Sequence, residues 1–288
     1  MIASTSNRFS EMFHRFHFQA LNTNVDFMIW AEDQEIAAIE RLAVGWFRDT
    51  EFRFGQNFPH SELNHLNTLS GERCKVSDPM MEILALTETY RKVTGNMYNP
   101  LVSSSSHLPL QLSLDSDTKS VRLPEETTLE LDSIVQNWIL QRLAEMFQHR
   151  MKLKQGLLRV GDSYKVWGRP IESFDPWVIG INKPGQPTGL VATVSLSEGA
   201  LATYTTQVPE TEFPNACTVT GIDPVECAIW AQVIAKLGSD KGLSMIAEHA
   251  AYCEVILIDE HSKLHYYGDK ASLGSKWNEI NVDYYHSS

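Results

Sequence analysis

Residues 51–67, EFRFGQNFPHSELNHLN, and residues 94–102, TGNMYNPLV, decide how this chain is read. In the first, an acidic and aromatic run passes through Pro59 into Ser61-Glu62-Leu63, with Leu66-Asn67 one turn further on. A serine placed there caps a short helix, because its hydroxyl accepts from the free backbone N–H groups of the first turn. In the second, Thr94-Gly95 closes an apolar helical run and Asn99-Pro100 starts the next segment. Glycine just past a helix end takes the left-handed conformation that other residues resist. Spacing alone therefore gives a capped helix and a loop.

Outward from these stretches the periods alternate. Residues 16–31 read as a strand pattern, with Val25, Phe27 and Ile29 on one face, Met28 and Trp30 on the other, and a turn at Asn22-Thr23-Asn24. Residues 33–52 carry Ile36, Ile39, Leu42, Ala43, Trp46 and Phe47 at helical spacing. Residues 78–93 repeat that period, with Asp78 as the expected cap, Pro79 in the first turn, and Met80, Ile83, Leu84, Leu86 and Val93 inward. A Ser-rich loop and two short segments, 110–114 and 120–123, follow, joined by a hairpin turn at Asp115-Ser116-Asp117.

A third long helix is expected over 129–148, then strands over 157–160, 164–167, 177–181 and 191–197. Helices over 223–237 and 242–249 and a strand over 253–258 complete the pattern. Strands grouped between a few long helices predict an α+β fold, antiparallel sheets flanked by helices. Residues 1–15 are polar and expected to be loosely ordered. Residues 16–288 read as one domain of two joined α+β halves that meet near 128–160.

Composition narrows the function classes. Hydrophobic residues make up 43% and charged residues 21% of 288, ordinary for a globular chain with a sizeable core. The 36 acids against 24 Lys and Arg give a formal charge of −12, which repels phosphate and argues against nucleic-acid or anionic-membrane partners. Cys74, Cys217, Cys227 and Cys253 form no C-x-x-C pair and suggest buried thiols in a reducing setting. No apolar signal segment, lipobox cysteine or membrane-length run is present, so the expectation is a cytoplasmic protein without membrane insertion. Six tryptophans (Trp30, Trp46, Trp138, Trp167, Trp177, Trp230) fall in regular patterns and default to core packing. His14, His17, His60 and His65 gather in the first quarter and read as surface histidines.

Together, the Ser61-Glu62-Leu63…Leu66-Asn67 and Thr94-Gly95…Met97-Tyr98-Asn99-Pro100 elements resemble the flavin-binding half of the ApbE-type FAD:protein FMN transferases. Those proteins carry S-E-L-x-x-L-N and then T-G-G-x-F-D-P at about this separation. The resemblance extends over about 18–260 and implies a duplicated T-fold-like arrangement. It implies flavin-contacting positions at Thr23, Ser61, Glu62, Asn67, Met97, Tyr98, Asn99, Asp132, Trp138, Gly161, Asp162 and Thr203. FAD, with Mg²⁺ holding its pyrophosphate, is the implied cofactor set, and a flavoprotein or redox complex is the implied partner.

The chemical positions depart from the family pattern. The family's A-D-A-x-x-T, whose Asp and Thr hold the metal, is Cys227-Ala228-Ile229-Trp230-Ala231-Gln232 here. Its L-D-L-G-G-I-A-K-G-W-A-V-D is the run 129–141, where Gln136 stands for the lysine, Asp132, Ser133 and Asn137 for glycines, and Gln141 for the last aspartate. Glycines there let a backbone approach an anion closely. The family's H-x-x-D-P-x-T-G, beside the scissile pyrophosphate, has no counterpart. Residues 207–215, QVPETEFPN, lead straight into the next strand, and no histidine lies between His149 and His249.

Phosphoryl transfer rests on positioned metal and a group that orients the nucleophile. No catalytic or metal-ligating residue is therefore assigned, and Mg²⁺ is expected only if Asp162, Asp175 or Glu226 rebuilds a site. Three readings stand: a catalytically degenerate relative keeping at most a flavin or nucleotide cleft, an active transferase attaching FMN to Thr or Ser of a flavoprotein, and a non-enzymatic subunit of a redox complex.

Overall fold

The computed structural model describes residues 12–103, 111–169, 175–184, 186–207 and 213–287. In chain order the elements are β1 (Met12–Ala20), β2 (Thr23–Ala31), α1 (Asp33–Phe54), α2 (Glu62–Thr68), β3 (Arg73–Lys75), α3 (Asp78–Val93), β4 (Leu101–Ser103), β5 (Ser113–Asp115), β6 (Ser120–Arg122), β7 (Thr127–Leu129), α4 (Asp132–Glu145), β8 (Gly156–Val160), β9 (Ser163–Trp167), β10 (Trp177–Lys183), β11 (Gln186–Leu196), β12 (Gly199–Thr205), β13 (Ala216–Gly221), α5 (Pro224–His249), β14 (Glu254–Ile258), β15 (Leu264–Gly268), β16 (Trp277–Asn278) and β17 (Tyr284–Ser287). Among the described residues, nine strands form one sheet in the order β1-β2-β8-β9-β12-β13-β14-β15-β17. Every neighbouring pair is antiparallel except the parallel β15–β17 pair. The architecture is α+β with antiparallel sheets, as the element pattern predicts.

Both faces of the central part of this sheet are covered, so β8, β9, β13, β14 and β15 bury successive residues. Val25, Phe27, Ile29, Leu158, Val160, Ala202 and Val219 meet the helices in one core. Trp30, Leu157, Val166, Leu201, Ile256 and Tyr266 face the small β10-β11-β16 sheet in the other. Phe27 anchors the first core, with Phe18 edge-on at 5.5 Å and Phe147 at 6.1 Å. Such aromatic pairs add about 0.5–1.5 kcal/mol each beyond buried area.

Several boundaries move for identifiable reasons. The first strand begins at Met12, so ordered structure starts before Phe16, the first residue of the expected strand. The turn is Leu21-Asn22, both at positive φ (52° and 58°), the two-residue hairpin geometry that matches strand twist; Thr23 already pairs with Ala20. The cap of α3 is Ser77, whose hydroxyl accepts from Met80 N, and not Asp78. The inward face of α3 is Met80, Ile83, Leu84, Thr87, Glu88 and Arg91, so Leu86 and Val93 are only partly covered and the stripe ends in polar residues.

The third helix starts at Asp132 because Thr127–Leu129 pair with β4, and it ends in a π-turn at Met146–Arg150. The last two expected helices are joined as α5, kinked at Gly238 (φ 74°, ψ −173°), a conformation only glycine adopts easily. The β5–β6 hairpin forms as expected, with the Asp115 carboxylate accepting from Asp117 N and Thr118 N. Most of the Ser-rich loop, and the first residue of the expected 110–114 strand, lie outside the described residues.

Candidate functional site

The signature helix α2 spends its polar groups inside the fold. Ser61 is fully buried and its hydroxyl accepts from Asn64 N at 3.1 Å. The Glu62 carboxylate accepts from Ser77 N at 2.6 Å, from Ser77 Oγ at 2.7 Å and from Arg53 Nη1 at 3.0 Å, tying α1, α2 and the start of α3 together. Asn67 pairs with the backbone of Leu129, donating from Nδ2 to its carbonyl at 3.1 Å and accepting its N–H at 2.8 Å. Asn67→Ala leaves both backbone groups without that partner. It is expected to lower stability by about 1–3 kcal/mol in a urea titration, the usual effect of orphaning buried polar groups.

The 94–102 turn is held in the same way. Thr94 Oγ1 donates to Tyr90 O at 2.7 Å and accepts from Tyr98 N at 3.0 Å. The Arg91 guanidinium, buried against Glu88 at 3.0 Å, also reaches Asn96 Oδ1, where the chain turns through positive φ at Gly95 and Asn96. Asn99 Oδ1 accepts from Leu101 N at 3.1 Å. Tyr98 is buried, which pushes its phenol well up, while Met97 stands 43% exposed.

At the tip of the β1–β2 hairpin the main chain is covered by two side chains. Glu51 Oε1 accepts from Leu21 N at 2.6 Å, and Gln136 Nε2 donates to Leu21 O at 3.0 Å. Asn57 Nδ2 donates to Asn22 Oδ1 at 3.0 Å and draws the loop after α1 onto the same turn. What remains between Leu21, Glu51, Phe54, Gly55, Asp132 and Gln136 is a recess of about 20 Å³. That is room for a water or two; on the other side of the same turn, Gln19, Thr23, Asn24 and Glu51 border an open pocket of about 500 Å³. Asp132 lines this recess, where loss of solvation and the neighbouring Glu130 push its carboxyl above the usual range.

A separate groove runs where the large sheet meets β10. Arg159, Asp162, Tyr164, Asn182, Lys183 and Thr203 line it. Arg159 donates to Gly161 O at 2.7 Å, lies 3.8 Å from both Asp26 and Asp162, and sits 5.5 Å over the Tyr164 ring. Gly161 (φ 59°) turns β8 into β9 against Thr23, whose hydroxyl lies 3.0 Å from where a Cβ would stand. Thr203 N donates to Asp162 O, and its hydroxyl meets Thr218 Oγ1 at 2.8 Å.

The structure thus brings Thr23, Gly161, Asp162 and Thr203 to neighbouring strand tips and places Asp132 at the hairpin recess. Ser61, Glu62, Asn67, Tyr98 and Asn99 lie in the supporting framework. Trp138 faces elsewhere, donating to Glu82 at 2.9 Å with Phe54 edge-on at 6.1 Å. Sequence reading missed Glu51 and Arg159 as shaping residues. Glu51 acts on the backbone of Leu21, 30 positions away, and Arg159 on the nearby Gly161 carbonyl and the distant Asp26 carboxylate.

The positions aligned with the family's metal ligands do not suit magnesium, a hard cation that needs several charged oxygens. Ala228 offers none, and Gln232 offers one neutral amide oxygen, Oε1, buried without a hydrogen-bond partner. Glu226 is engaged by Tyr252, and burial raises its carboxyl. Asp162 pairs with Arg159, and Asp175 is exposed. Among the described residues, no three His, Cys, Asp or Glu side chains converge where they could hold a metal ion. His14 and His17 pair with Asp33 and Asp26 and so belong to different contacts. Part of the 207–215 segment, where the family's histidine and aspartate motif has no counterpart, lies outside the described residues. No described helix is long and apolar enough to cross a membrane.

Comparison with known structures places the fold. The ApbE protein of Thermotoga maritima superposes with a TM-score of 0.75 at 12% identity, covering 88% of this chain and 96% of its own. The apo Pseudomonas stutzeri flavinyl transferase ApbE gives 0.74 at 14% identity, covering 88% and 92%. The Vibrio cholerae flavin transferase ApbE gives 0.71 at 13% identity, covering 86% and 94%. No curated protein sequence matches. The ApbE family model matches residues 21–207, well over half of the chain, and the chain belongs to the ApbE family.

Proposed function

We propose that this protein is a catalytically degenerate ApbE-family member, one that keeps the flavin-transferase scaffold as a binding or regulatory protein and does not move FMN from FAD to a protein. The observation that carries this reading is the chemistry of the residues that stand at the family's metal-binding and histidine-bearing positions. At the hairpin, Glu51 and Gln136 hydrogen-bond both backbone groups of Leu21 and leave a recess of about 20 Å³ on that side, while an open pocket of about 500 Å³ bordered by Thr23, Asn24 and Glu51 lies beside it. Ala228 and Gln232 stand where the family pattern has its metal-binding Asp and Thr, and the segment expected to hold a histidine reads QVPETEFPN. A flavoprotein or redox complex in the cytoplasm is the partner class that the family background favours.

Ligand-induced stabilisation tests the binding half of this reading. A site filled at 100 times its Kd adds about 2.7 kcal/mol to folding stability. Thermal unfolding with saturating FAD is expected to show no gain that depends on Mg²⁺. A magnesium-dependent rise in Tm would contradict the reading.

A further inference from the structure

A slot between α1, α3 and α4 lies outside everything assigned above. Trp46, Asp49, Arg53 and Phe54 of α1, Pro79 at the start of α3 and Trp138 of α4 line an open cavity of about 200 Å³. Trp46, Asp49, Thr50, Arg53 and Phe54 recur at i, i+3, i+4, i+7 and i+8, so they share one stripe of α1. A stripe that only packs on neighbouring helices is apolar along its length. This one pairs aromatic rings with an acid and a base. Thr50 spends its hydroxyl on Trp46 O at 2.7 Å, so Asp49 and Arg53 are its charged groups.

The walls are held from behind. Trp138 Nε1 donates to Glu82 at 2.9 Å, and the ring meets Phe54 edge-on at 6.1 Å. Arg53 Nη1 donates to Glu62 at 3.0 Å, and Glu62 is itself fixed by Ser77 N and Ser77 Oγ. A ligand entering the slot therefore meets rings and a guanidinium already in place, which lowers the ordering cost of binding.

The two charges are held apart. Asp49 and Arg53 have the i, i+4 spacing at which acid and base on a helix pair. Arg53 turns to Glu62 instead, and Asp49, exposed, makes no ion pair or hydrogen bond among the described residues. Arg53 in turn uses only Nη1 for Glu62, and a guanidinium has further N–H donors to offer.

Size selects among the ligands that could answer this lining. A dry cavity of about 150 Å³ admits benzene, so the slot matches one six-membered ring with a short substituent. Such a mostly apolar hollow with a few placed polar groups is the usual form of a small-molecule site. A zwitterion answers the carboxylate and the guanidinium together.

We infer that this slot binds a free single-ring aromatic α-amino acid, with the ring among Trp46, Phe54, Pro79 and Trp138, the ammonium on Asp49 and the carboxylate on Arg53. The site needs neither flavin nor a metal ion, so its test stands apart from the proposed function.

The experiment is a calorimetric titration of the full chain with L-phenylalanine at neutral pH, with the indole N–H resonances of Trp46 and Trp138 followed by NMR. 3-Phenylpropionate, phenethylammonium, glycine and N-acetyl-L-phenylalaninamide are run beside it. L-Phenylalanine is expected to saturate one site and shift both indole resonances, and glycine to do neither. 3-Phenylpropionate and phenethylammonium, each lacking one charge, should bind about tenfold more weakly, the loss of one charge-assisted hydrogen bond. Asp49→Asn should weaken L-phenylalanine by a similar factor and leave 3-phenylpropionate unchanged, a split that a general disturbance of α1 would not produce. The inference is overturned if L-phenylalanine does not saturate, if glycine binds equally well, or if Asp49→Asn leaves its affinity unchanged. Equal binding of N-acetyl-L-phenylalaninamide would also overturn it, by showing that the slot takes an aromatic residue within a peptide chain.

Discussion

Replacing Glu88 by alanine is expected to cost about 3–5 kcal/mol, because it leaves the buried Arg91 guanidinium without its counter-charge. Glu88 and Arg91 are 7% and 8% exposed and meet through a forked contact at 3.0–3.1 Å. Glu88 also accepts from Leu112 N at 3.4 Å, and Arg91 reaches Asn96 in the turn after α3. The pair thus links α3, the 94–102 turn and the segment before β5. Urea unfolding monitored by tryptophan fluorescence measures the loss. The double variant Glu88→Leu, Arg91→Met removes both charges and keeps the volume, so it should recover most of the stability. A loss below about 1 kcal/mol in Glu88→Ala, the range of exposed pairs, would show that the pair is not buried in solution.

Glu254→Ala is expected to cost about 1–3 kcal/mol, because it leaves the buried Trp277 indole N–H and Tyr266 hydroxyl without this acceptor while Lys276, 30% exposed, returns to water. On β14 the Glu254 carboxylate receives Lys276 Nζ, Trp277 Nε1 at 3.1 Å and Tyr266 OH at 3.2 Å, and so joins β16 to the large sheet. Gly268 lets this approach occur, since a Cβ there would lie 2.8 Å from Glu254 Cγ. Burial alone would raise the Glu254 carboxyl, but the bonds from Lys276, Ser272 and Trp277 and the lysine's charge outweigh it and hold it below its ordinary value. A carboxyl depressed in the folded state contributes stability that is complete above its unfolded pKa, about 4.3–4.5, and is lost as pH falls through the folded pKa. Glu254→Gln should therefore flatten the acid limb of stability against pH relative to wild type. Parallel acid limbs in the two proteins would remove Glu254 from the account.

How much of this was legible in the sequence depends on the range of the interactions. The β2 alternation was sufficient, since Val25, Phe27 and Ile29 do face the helices while Trp30 packs 5.6 Å from Trp177 on the other side. The caps and turns around Ser61 and Gly95 were legible because their chemistry is local. Leu129 is expected to open the third helix because the apolar residues that follow continue the period, and only the pairing of Thr127–Leu129 with Leu101–Ser103 shows otherwise. β15 and β17 escaped notice because His265, Tyr266 and Tyr267 are buried by pairing and stacking and do not alternate in polarity. At the candidate site, residue types pointed to an altered centre. The closure itself did not follow from them, since it is made by Glu51 and Gln136 on the backbone of a residue at least 30 positions away.

The central claim is loss of flavin transfer, and covalent labelling measures it most directly. The protein is incubated with FAD, Mg²⁺ and a flavoprotein acceptor known to be modified by an active ApbE enzyme, and in-gel flavin fluorescence is read after denaturation. The account predicts an acceptor band no brighter than without protein, beside a strong band from the active enzyme. A covalent flavin band that depends on this protein and on Mg²⁺ would contradict it.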